Sequence, residues 1–189
     1  MIWRFWTVPN QLTLARLIFV PFVITNVLDY NFKWALGLFI AAGLSDGLDG
    51  LLARWLKQRS TLGEYLDPIA DKLLLSSLFL VLSFRQIIPW RFTVVVFSRD
   101  ICILMLCALI YVTTPLRDFR PSFLGKLNTV AQVGALFLVL LNEVVDRNWI
   151  YVGKDYLLWT VFALTCLSAL HYLYLVGYRL HQVTSAASK

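Results

Sequence analysis

Apolar residues fill six long stretches of the chain, and short polar segments separate them. Each stretch approaches the roughly 20 residues that a helix needs to cross a bilayer. The pattern therefore predicts an all-α integral membrane protein. The six transmembrane helices are expected at about residues 12–28, 32–54, 67–84, 91–112, 124–145 and 156–180. No repeat or soluble domain interrupts this pattern, so residues 1–189 are expected to form a single membrane domain.

The segment before the first predicted helix is rich in aromatic residues. Ile2, Trp3, Arg4, Phe5 and Trp6 are typical of a short interfacial segment that lies at headgroup depth. A frayed terminus is the alternative. The sequence thus predicts six membrane-spanning helices preceded by one short interfacial segment.

Composition and charge agree with a membrane location. The chain of 189 residues is 59% hydrophobic, above the 45–50% or so of soluble domains. Its net charge of +6 suits anionic lipid headgroups. Nucleic-acid binding is not expected, because the basic residues are spread over short loops. The bias of lysine and arginine between loops predicts a multi-pass protein of an inner or plasma membrane, with both termini on the cytoplasmic side.

Four aspartates adjoin the second and third apolar stretches. Asp46 and Asp49 are three residues apart, and Asp67 and Asp71 are four apart, so each pair shares one face of a helix. A carboxylate at bilayer depth costs about 2.5–3.5 kcal/mol. A connection of a dozen or so residues makes the two helices antiparallel neighbours whose aspartates can face one another. Four such groups at the cytoplasmic boundary imply a cation that neutralises them.

Clustered aspartates without histidine or cysteine suit Mg²⁺, Mn²⁺ or Ca²⁺. Four carboxylates can hold two such ions, and an ion pair about 3.5–4 Å apart can clamp a diphosphate for phosphoryl displacement. Gly50 and Gly63 leave room for a bulky ligand, and Arg54 can reach a phosphate. Helix capping and pairing with Arg54 and Lys72 is the alternative, but it leaves most of the four charges unexplained.

The aspartates belong to a longer pattern, Asp-x2-Asp-Gly-x2-Ala-Arg followed after eight residues by Gly-x3-Asp-x3-Asp. This pattern resembles the motif of the CDP-alcohol phosphatidyltransferases, and all eight of its fixed identities are present. They are Asp46, Asp49, Gly50, Ala53, Arg54, Gly63, Asp67 and Asp71. The six-helix pattern is also similar to the family's fold, so the resemblance covers nearly the whole chain.

The resemblance implies a role for each motif position. Asp46, Asp49 and Asp67 would ligate two divalent cations, Mg²⁺ or Mn²⁺. Asp71 would complete the second metal site and act as the general base towards the acceptor hydroxyl. The implied reaction is attack of an alcohol on the lipid-side phosphorus of CDP-diacylglycerol, with release of CMP. The residues implied in binding its cytidine and diphosphate are Asp49, Gly50, Ala53, Arg54 and Gly63.

Flanking stretches narrow the choice of acceptor. The segment at residues 8–16 resembles the opening of the glycerol-lipid members, in which this region lies near the nucleotide. Asn10 and Thr13 are therefore expected at the CDP-diacylglycerol site, with helix capping as the alternative. Ser-Arg-Asp at residues 98–100 and Lys-x-Asn-Thr at residues 126–129 are closer to the family's cardiolipin synthases than to its phosphatidylglycerophosphate synthases. Phosphatidylglycerol is the expected acceptor, and glycerol-3-phosphate remains the alternative.

Either acceptor carries a phosphate, so a basic pocket is expected. Arg99 is the first candidate, because it lies within an apolar stretch beside Asp100, although an ion pair between these two residues is the alternative. Arg117, Arg120 and Lys126 are the other candidates, and for them cytoplasmic charge bias is the alternative. The resemblance also implies a homodimer.

A transporter of ions or protons is the rival class, because it also uses carboxylates within a membrane. The chain has no inverted repeat of the kind that many transporters show. The Gly-x2-Ala-Arg element also has no evident use in ion transport. CMP release from CDP-diacylglycerol distinguishes the two classes.

Overall fold

The computed structural model of the chain describes residues 8–56, 61–113, 123–145 and 147–187. All regular secondary structure within these ranges is helical, as the apolar pattern predicts. The predicted interfacial segment at residues 2–6 lies outside the described residues. The helices are α1 (Val8–Leu28), α2 (Phe32–Leu56), α3 (Thr61–Phe84), α4 (Trp90–Thr113), α5 (Phe123–Val144) and α6 (Asn148–Ala187).

Several helices extend beyond the predicted apolar stretches. α3 begins at Thr61, six residues before the predicted start at Asp67. α6 is a single helix of 40 residues, about 60 Å long at 1.5 Å per residue. Polar residues such as lysine, arginine and glutamine are good helix formers, so a helix continues where the apolar pattern stops.

The connection between α2 and α3 is consequently shorter than predicted. Only residues 57–60 separate Leu56 from Thr61, whereas the apolar pattern leaves a dozen or so residues between the two spans. A four-residue connection is typical of two antiparallel helices. Within the described residues these helices do not pack directly on each other; both contact α1 and α5.

The remaining contacts complete the bundle. α1 packs against both α2 and α3, α6 packs against α4 and α5, and α4 also contacts α3. α5 and α6 approach each other closely at two glycines: Gly134 faces Leu157, and Gly153 faces Leu138. Small residues at such contacts are typical of helix packing in membranes. All six helices contribute to the buried core, whose members include Val23, Phe39, Leu78, Phe92, Leu136 and Leu158.

The outer surface of the described bundle is apolar, and several polar side chains lie inside it. Phe84, Val130 and Trp149 are each 68–69% exposed, whereas Asn128, Thr165 and Ser168 are fully buried. A large exposed apolar surface is unfavourable in water and favourable in lipid. Two helical segments are long and apolar enough to cross a membrane by themselves, Phe123–Val144 and Asn148–Leu173. Shorter apolar segments lie at Leu17–Leu28, Phe32–Ser45 and Lys72–Phe84.

The two ends of the bundle differ in character. The connections at residues 29–31 and 85–89 and the start of α6 lie at one end, here called the aromatic end. Its exposed rings include Tyr30, Trp34, Trp90, Trp149 and Tyr151. Tryptophan and tyrosine concentrate at membrane–water interfaces. The opposite end, where α2 ends and α3 begins, carries the four aspartates and is called the carboxylate end.

Candidate active site

The eight motif positions fall on the two helices that meet at the carboxylate end. Asp46 lies ten residues before the end of α2 at Leu56, and Asp71 lies ten residues after the start of α3 at Thr61. Asp49 and Asp67 lie seven and six residues from the same helix ends. At a common rise of 1.5 Å per residue, antiparallel helices therefore carry the two aspartate pairs at matching heights.

The side chains of all eight motif residues lie outside the described part of the structure, which includes their helical backbone alone. The same holds for Asn10 and Thr13, which lie in the first two turns of α1. Asn10 is the third residue of that helix, so it lies within the first turn and does not precede the helix as a capping residue does. Arg117 and Arg120 lie outside the described residues altogether.

The chemistry of this donor set fits a divalent metal site. Four carboxylates are the only metal-binding side chains at the motif positions, and residues 45–56 and 61–72 contain neither histidine nor cysteine. Carboxylate oxygens suit Mg²⁺ and Mn²⁺, whereas thiolate and imidazole groups favour zinc. Among the described side chains, no other group of three potential ligands is close enough to hold an ion.

An apolar cavity of about 570 Å³ lies between α2, α3 and α5, next to the aspartate positions. Gly43 and Leu44 of α2 and Leu74 of α3 line it, within three residues of Asp46 and Asp71. α5 closes the cavity with Val133 and Phe137. The cavity therefore ends within one helical turn of the positions of Asp46 and Asp71, and its walls suit a hydrocarbon ligand.

An ion-pair network begins at the residue that follows Asp71. Lys72 Nζ lies 2.7 Å from both carboxylate oxygens of Asp100, which ties α3 to α4. Arg99 Nη1 donates to the same carboxylate at 2.8 Å. Lys72 is partly exposed, whereas the side chain of Arg99 is only 7% exposed. Two cations therefore share one carboxylate, which leaves a net charge of +1.

The network continues into α6 and α5. Arg99 Nη2 donates to Ser168 Oγ at 2.9 Å, and one turn away Thr165 donates to Asn128 Oδ1 at 3.0 Å. Thr165 and Ser168 are three residues apart, so they are neighbours on one face of α6. Both hydrogen bonds therefore involve the same face of this helix. We call this set the polar layer: Lys72, Arg99, Asp100, Asn128, Thr165 and Ser168.

Three buried N–H donors in and beside the polar layer have no hydrogen-bond partner among the described residues. They are Arg99 Nε, Asn128 Nδ2 and Gln132 Nε2. Gln132 lies one turn after Asn128 on α5 and is 1% exposed. An unsatisfied buried donor costs about 1–3 kcal/mol. The polar layer therefore has unused donors for an acceptor-rich group.

Two of the predicted acceptor residues are described by the structure, and they differ in environment. Arg99 lies in the polar layer and is paired with Asp100, whereas Lys126 is exposed in the first turn of α5. Asn128, Gln132, Thr165 and Ser168 were not among the predicted acceptor residues. Their common signal in the sequence is a hydrogen-bonding side chain within an otherwise apolar helix, which in a membrane protein is rarely directed towards lipid.

A family comparison agrees with the resemblance found in the motif. Residues 6–174 match the model of the CDP-alcohol phosphatidyltransferase family. This match covers most of the described helices and all eight motif positions. The chain belongs to the CDP-alcohol phosphatidyltransferase family. The similarity inferred from the motif is thereby confirmed at the level of the family.

Individual relatives of this family member fall into two named groups. The cardiolipin synthase (CMP-forming) of Homo sapiens is 34% identical over 94% of the chain, and that of Streptomyces coelicolor is 36% identical over 78%. The CDP-diacylglycerol–glycerol-3-phosphate 3-phosphatidyltransferase of Bacillus subtilis is 29% identical over 88% of the chain. The chain spans 64% of the human protein, 70% of the Streptomyces protein and 93% of the Bacillus protein.

Proposed function

We propose that this protein transfers a phosphatidyl group from CDP-diacylglycerol to phosphatidylglycerol and releases CMP. The observation that carries the proposal is the complete eight-residue motif, on two helices that carry its aspartate pairs at matching heights. Ion transport, the rival class, gives no reason for the motif's glycines, Ala53 and Arg54. Family membership, matched over residues 6–174, adds support from beyond the motif.

Two divalent cations, Mg²⁺ or Mn²⁺, fit the four carboxylates. Asp46, Asp49 and Asp67 would hold them, with Asp71 completing the second site. When bound, the ions would supply charge neutralisation for the diphosphate and for the oxygens that enter and leave. Arg54 would bind a phosphate through its planar guanidinium group. Asp49, Gly50, Ala53 and Gly63 would surround the cytidine and diphosphate, with Asn10 and Thr13 nearby on α1.

The chemical step requires one base and no covalent enzyme intermediate. The acceptor hydroxyl oxygen attacks the phosphorus that carries diacylglycerol, and a new P–O bond forms. The bond from that phosphorus to the oxygen shared with CMP breaks, and CMP leaves with the electron pair. Asp71 takes the proton of the hydroxyl group. A positioned general base of this kind contributes about 10²–10⁴-fold to the rate.

The apolar cavity is the proposed site for the acyl chains of CDP-diacylglycerol. Its volume of about 570 Å³ lies within the common range of ligand pockets. The cavity lies beside the helical segments that carry Asp46 and Asp71, so a lipid tail in it would leave the diphosphate near the carboxylates. Binding the tails there would hold the reacting phosphorus at the base.

The polar layer supports an acceptor with a phosphodiester. Arg99, Lys72 and Asp100 together carry one net positive charge, and the unused donors of Asn128 and Gln132 are neutral amides. This charge matches the single negative charge of phosphatidylglycerol better than the roughly two negative charges of a phosphate monoester. Arg117, Arg120 and Lys126 would supply further basic groups at the carboxylate end.

Glycerol-3-phosphate is the second candidate acceptor. The Bacillus relative whose name specifies that acceptor is matched over 93% of its length, more than the human cardiolipin synthase is. The two candidates predict different lipid products from the same donor, cardiolipin in one case and phosphatidylglycerophosphate in the other.

An acceptor competition assay separates these candidates. Purified protein would receive labelled CDP-diacylglycerol, Mg²⁺ or Mn²⁺, and equal concentrations of phosphatidylglycerol and glycerol-3-phosphate. We expect labelled cardiolipin as the main product. Labelled phosphatidylglycerophosphate as the main product would instead assign glycerol-3-phosphate, and the absence of both products would contradict both assignments. Inositol phosphate and serine serve as control acceptors.

We further propose that all six helices span the membrane and that the carboxylate end faces the cytoplasm. The distribution of lysine and arginine among the loops supports this orientation, as do the exposed rings at the aromatic end. The whole chain would form one membrane domain that assembles as a homodimer. Labelling single cysteines introduced at Lys33 and Lys126 from each side of sealed vesicles tests the orientation, because the two positions lie at opposite ends.

A further inference from the structure

A second, smaller cavity lies at the aromatic end, on the far side of the bundle from the aspartates. Its volume is about 290 Å³, and it lies between the α3–α4 connection and the first turns of α6. Its charged lining residues are Arg91, Lys154 and Asp155, and its rings include Tyr151 and Trp159. We call it the outer cavity. Neither the motif nor the proposed reaction uses it.

Lys154 is the unusual residue of this cavity. It is only 8% exposed, and among the described residues no carboxylate lies within ion-pair distance of its ammonium group. Its Nζ lies 4.6 Å from the centre of the Tyr151 ring, a contact worth about 0.5–2 kcal/mol. Lys154 lines the cavity, and its Nζ is not one of the fully buried nitrogen atoms, so an anion in the cavity can reach the ammonium group. A bound anion would supply the missing counter-charge.

Arg91 places a second cation at the same cavity. Its guanidinium carbon lies 5.1 Å from the ring centres of both Phe92 and Trp159, and it too has no carboxylate partner among the described residues. With Asp155 included, the outer cavity carries one net positive charge. This charge matches one phosphodiester group.

The surroundings of the outer cavity suit a lipid. Trp159 lines the cavity and is 52% exposed, and Trp149 in the first turn of α6 is 69% exposed; such rings lie at the level of lipid headgroups. From these observations we propose that the outer cavity binds the phosphodiester of an anionic phospholipid in the leaflet opposite to the carboxylate end. Lys154 and Arg91 contact the phosphate, and the acyl chains lie along the exposed apolar face of α6.

Phosphatidylmethanol is the appropriate probe for this site. It is an anionic phosphodiester lipid without a hydroxyl group, so it cannot be a phosphatidyl acceptor. Its binding to the full-length detergent-solubilised protein would be measured by native mass spectrometry, beside zwitterionic phosphatidylcholine. We expect phosphatidylmethanol to bind at least about fivefold more tightly, as one or more basic contacts to an anionic lipid imply.

Three variants test whether the preference for phosphatidylmethanol comes from the outer cavity. Lys154→Met keeps the length of the side chain and removes its charge, and Arg91→Gln removes the charge of an exposed residue. Each is expected to lower the preference for phosphatidylmethanol about fivefold. Lys33→Met removes an exposed cation at the same end, outside the cavity, and is expected to leave the preference unchanged. A melting temperature for each variant confirms that it is folded.

Other results would contradict the proposal. Equal binding of the two lipids, or an unchanged preference in both Lys154→Met and Arg91→Gln, would overturn the proposal. Binding of millimolar inorganic phosphate that Lys154→Met abolishes, with no preference for phosphatidylmethanol, would show that the outer cavity takes free phosphate and not a lipid headgroup. Since the readout is binding of a lipid that cannot react, a failure here leaves the proposed transfer reaction untouched, and failure of that reaction leaves this site untouched.

Discussion

Substitution of Asp71 should slow turnover and leave substrate binding in place. Asp71→Asn removes the proposed base and one negative ligand but keeps the size of the side chain. We expect CMP release to fall by about 10²–10⁴-fold, with the melting temperature nearly unchanged. Asp29→Asn, at an exposed position of the aromatic end, is the matched control and should retain full activity. CMP release at the wild-type rate from Asp71→Asn would remove the assignment of the base.

Substitution of Arg99 tests the proposed acceptor site. Its guanidinium group is buried between Asp100 and Ser168, and its free Nε donor is available to a phosphate. We expect Arg99→Ala to raise the KM for the acceptor by about tenfold or more, as loss of a charged hydrogen bond implies, and to change the KM for CDP-diacylglycerol less. Arg99→Lys should recover part of the effect. Equal changes in both KM values would make Arg99 a purely structural residue. Arg147→Ala, exposed at the aromatic end, is the control.

Among the elements, α3 and α4 are joined by ion pairs to Asp100. This carboxylate accepts from Lys72 and from Arg99, so Asp100→Asn leaves two cations without a carboxylate partner, whereas Lys72→Gln leaves the pair with Arg99 intact. We expect Asp100→Asn to lower the melting temperature more than Lys72→Gln. A double-mutant cycle for Lys72 and Asp100 should give a coupling energy of about 0.5–3 kcal/mol. Additive effects of the two substitutions would contradict the network.

The contact between α5 and α6 depends on small residues. A Cβ atom at Gly134 would lie 3.2 Å from Leu157 Cδ2, whereas at Gly37 of α2 nothing lies within 4 Å. Gly134→Leu should therefore destabilise the protein by about 1–3 kcal/mol through overpacking. Gly37→Leu makes the same change within a helix and should not lower the melting temperature. Equal melting temperatures for the two variants would show that α5 and α6 are not tightly packed at this point.

The sequence predicts these elements better than it predicts their contacts. Long apolar runs and the fixed spacing of the aspartates are local properties, so six helices and the candidate metal ligands could be read directly. The polar layer joins residues far apart in the chain: Arg99 and Ser168 are 69 positions apart, and Thr165 and Asn128 are 37 apart. No periodicity encodes such pairings. The length of the α2–α3 connection was overestimated because helices continue through polar residues at their ends.

The whole molecule combines two polar regions inside a bundle with an apolar outer surface. The carboxylate end brings together the motif, the apolar cavity and the polar layer, and the aromatic end carries the outer cavity. A lipid-modifying enzyme needs such an arrangement, because its donor has a charged headgroup and apolar tails that must be held together. The proposed chemistry thus belongs to one end of the bundle, and a variant at the aromatic end should leave it unchanged.

CMP release by the purified protein tests the central claim most directly. The protein would be stripped of metal with a chelator and supplied with phosphatidylglycerol and with CDP-diacylglycerol labelled in both its cytidine and its acyl chains, with and without Mg²⁺ or Mn²⁺. The account predicts labelled CMP and cardiolipin only when a divalent cation is restored. It also predicts loss of both products in Asp46→Asn and Asp67→Asn. CMP release that persists without a divalent cation, or that is absent with every acceptor and both metals, would contradict it.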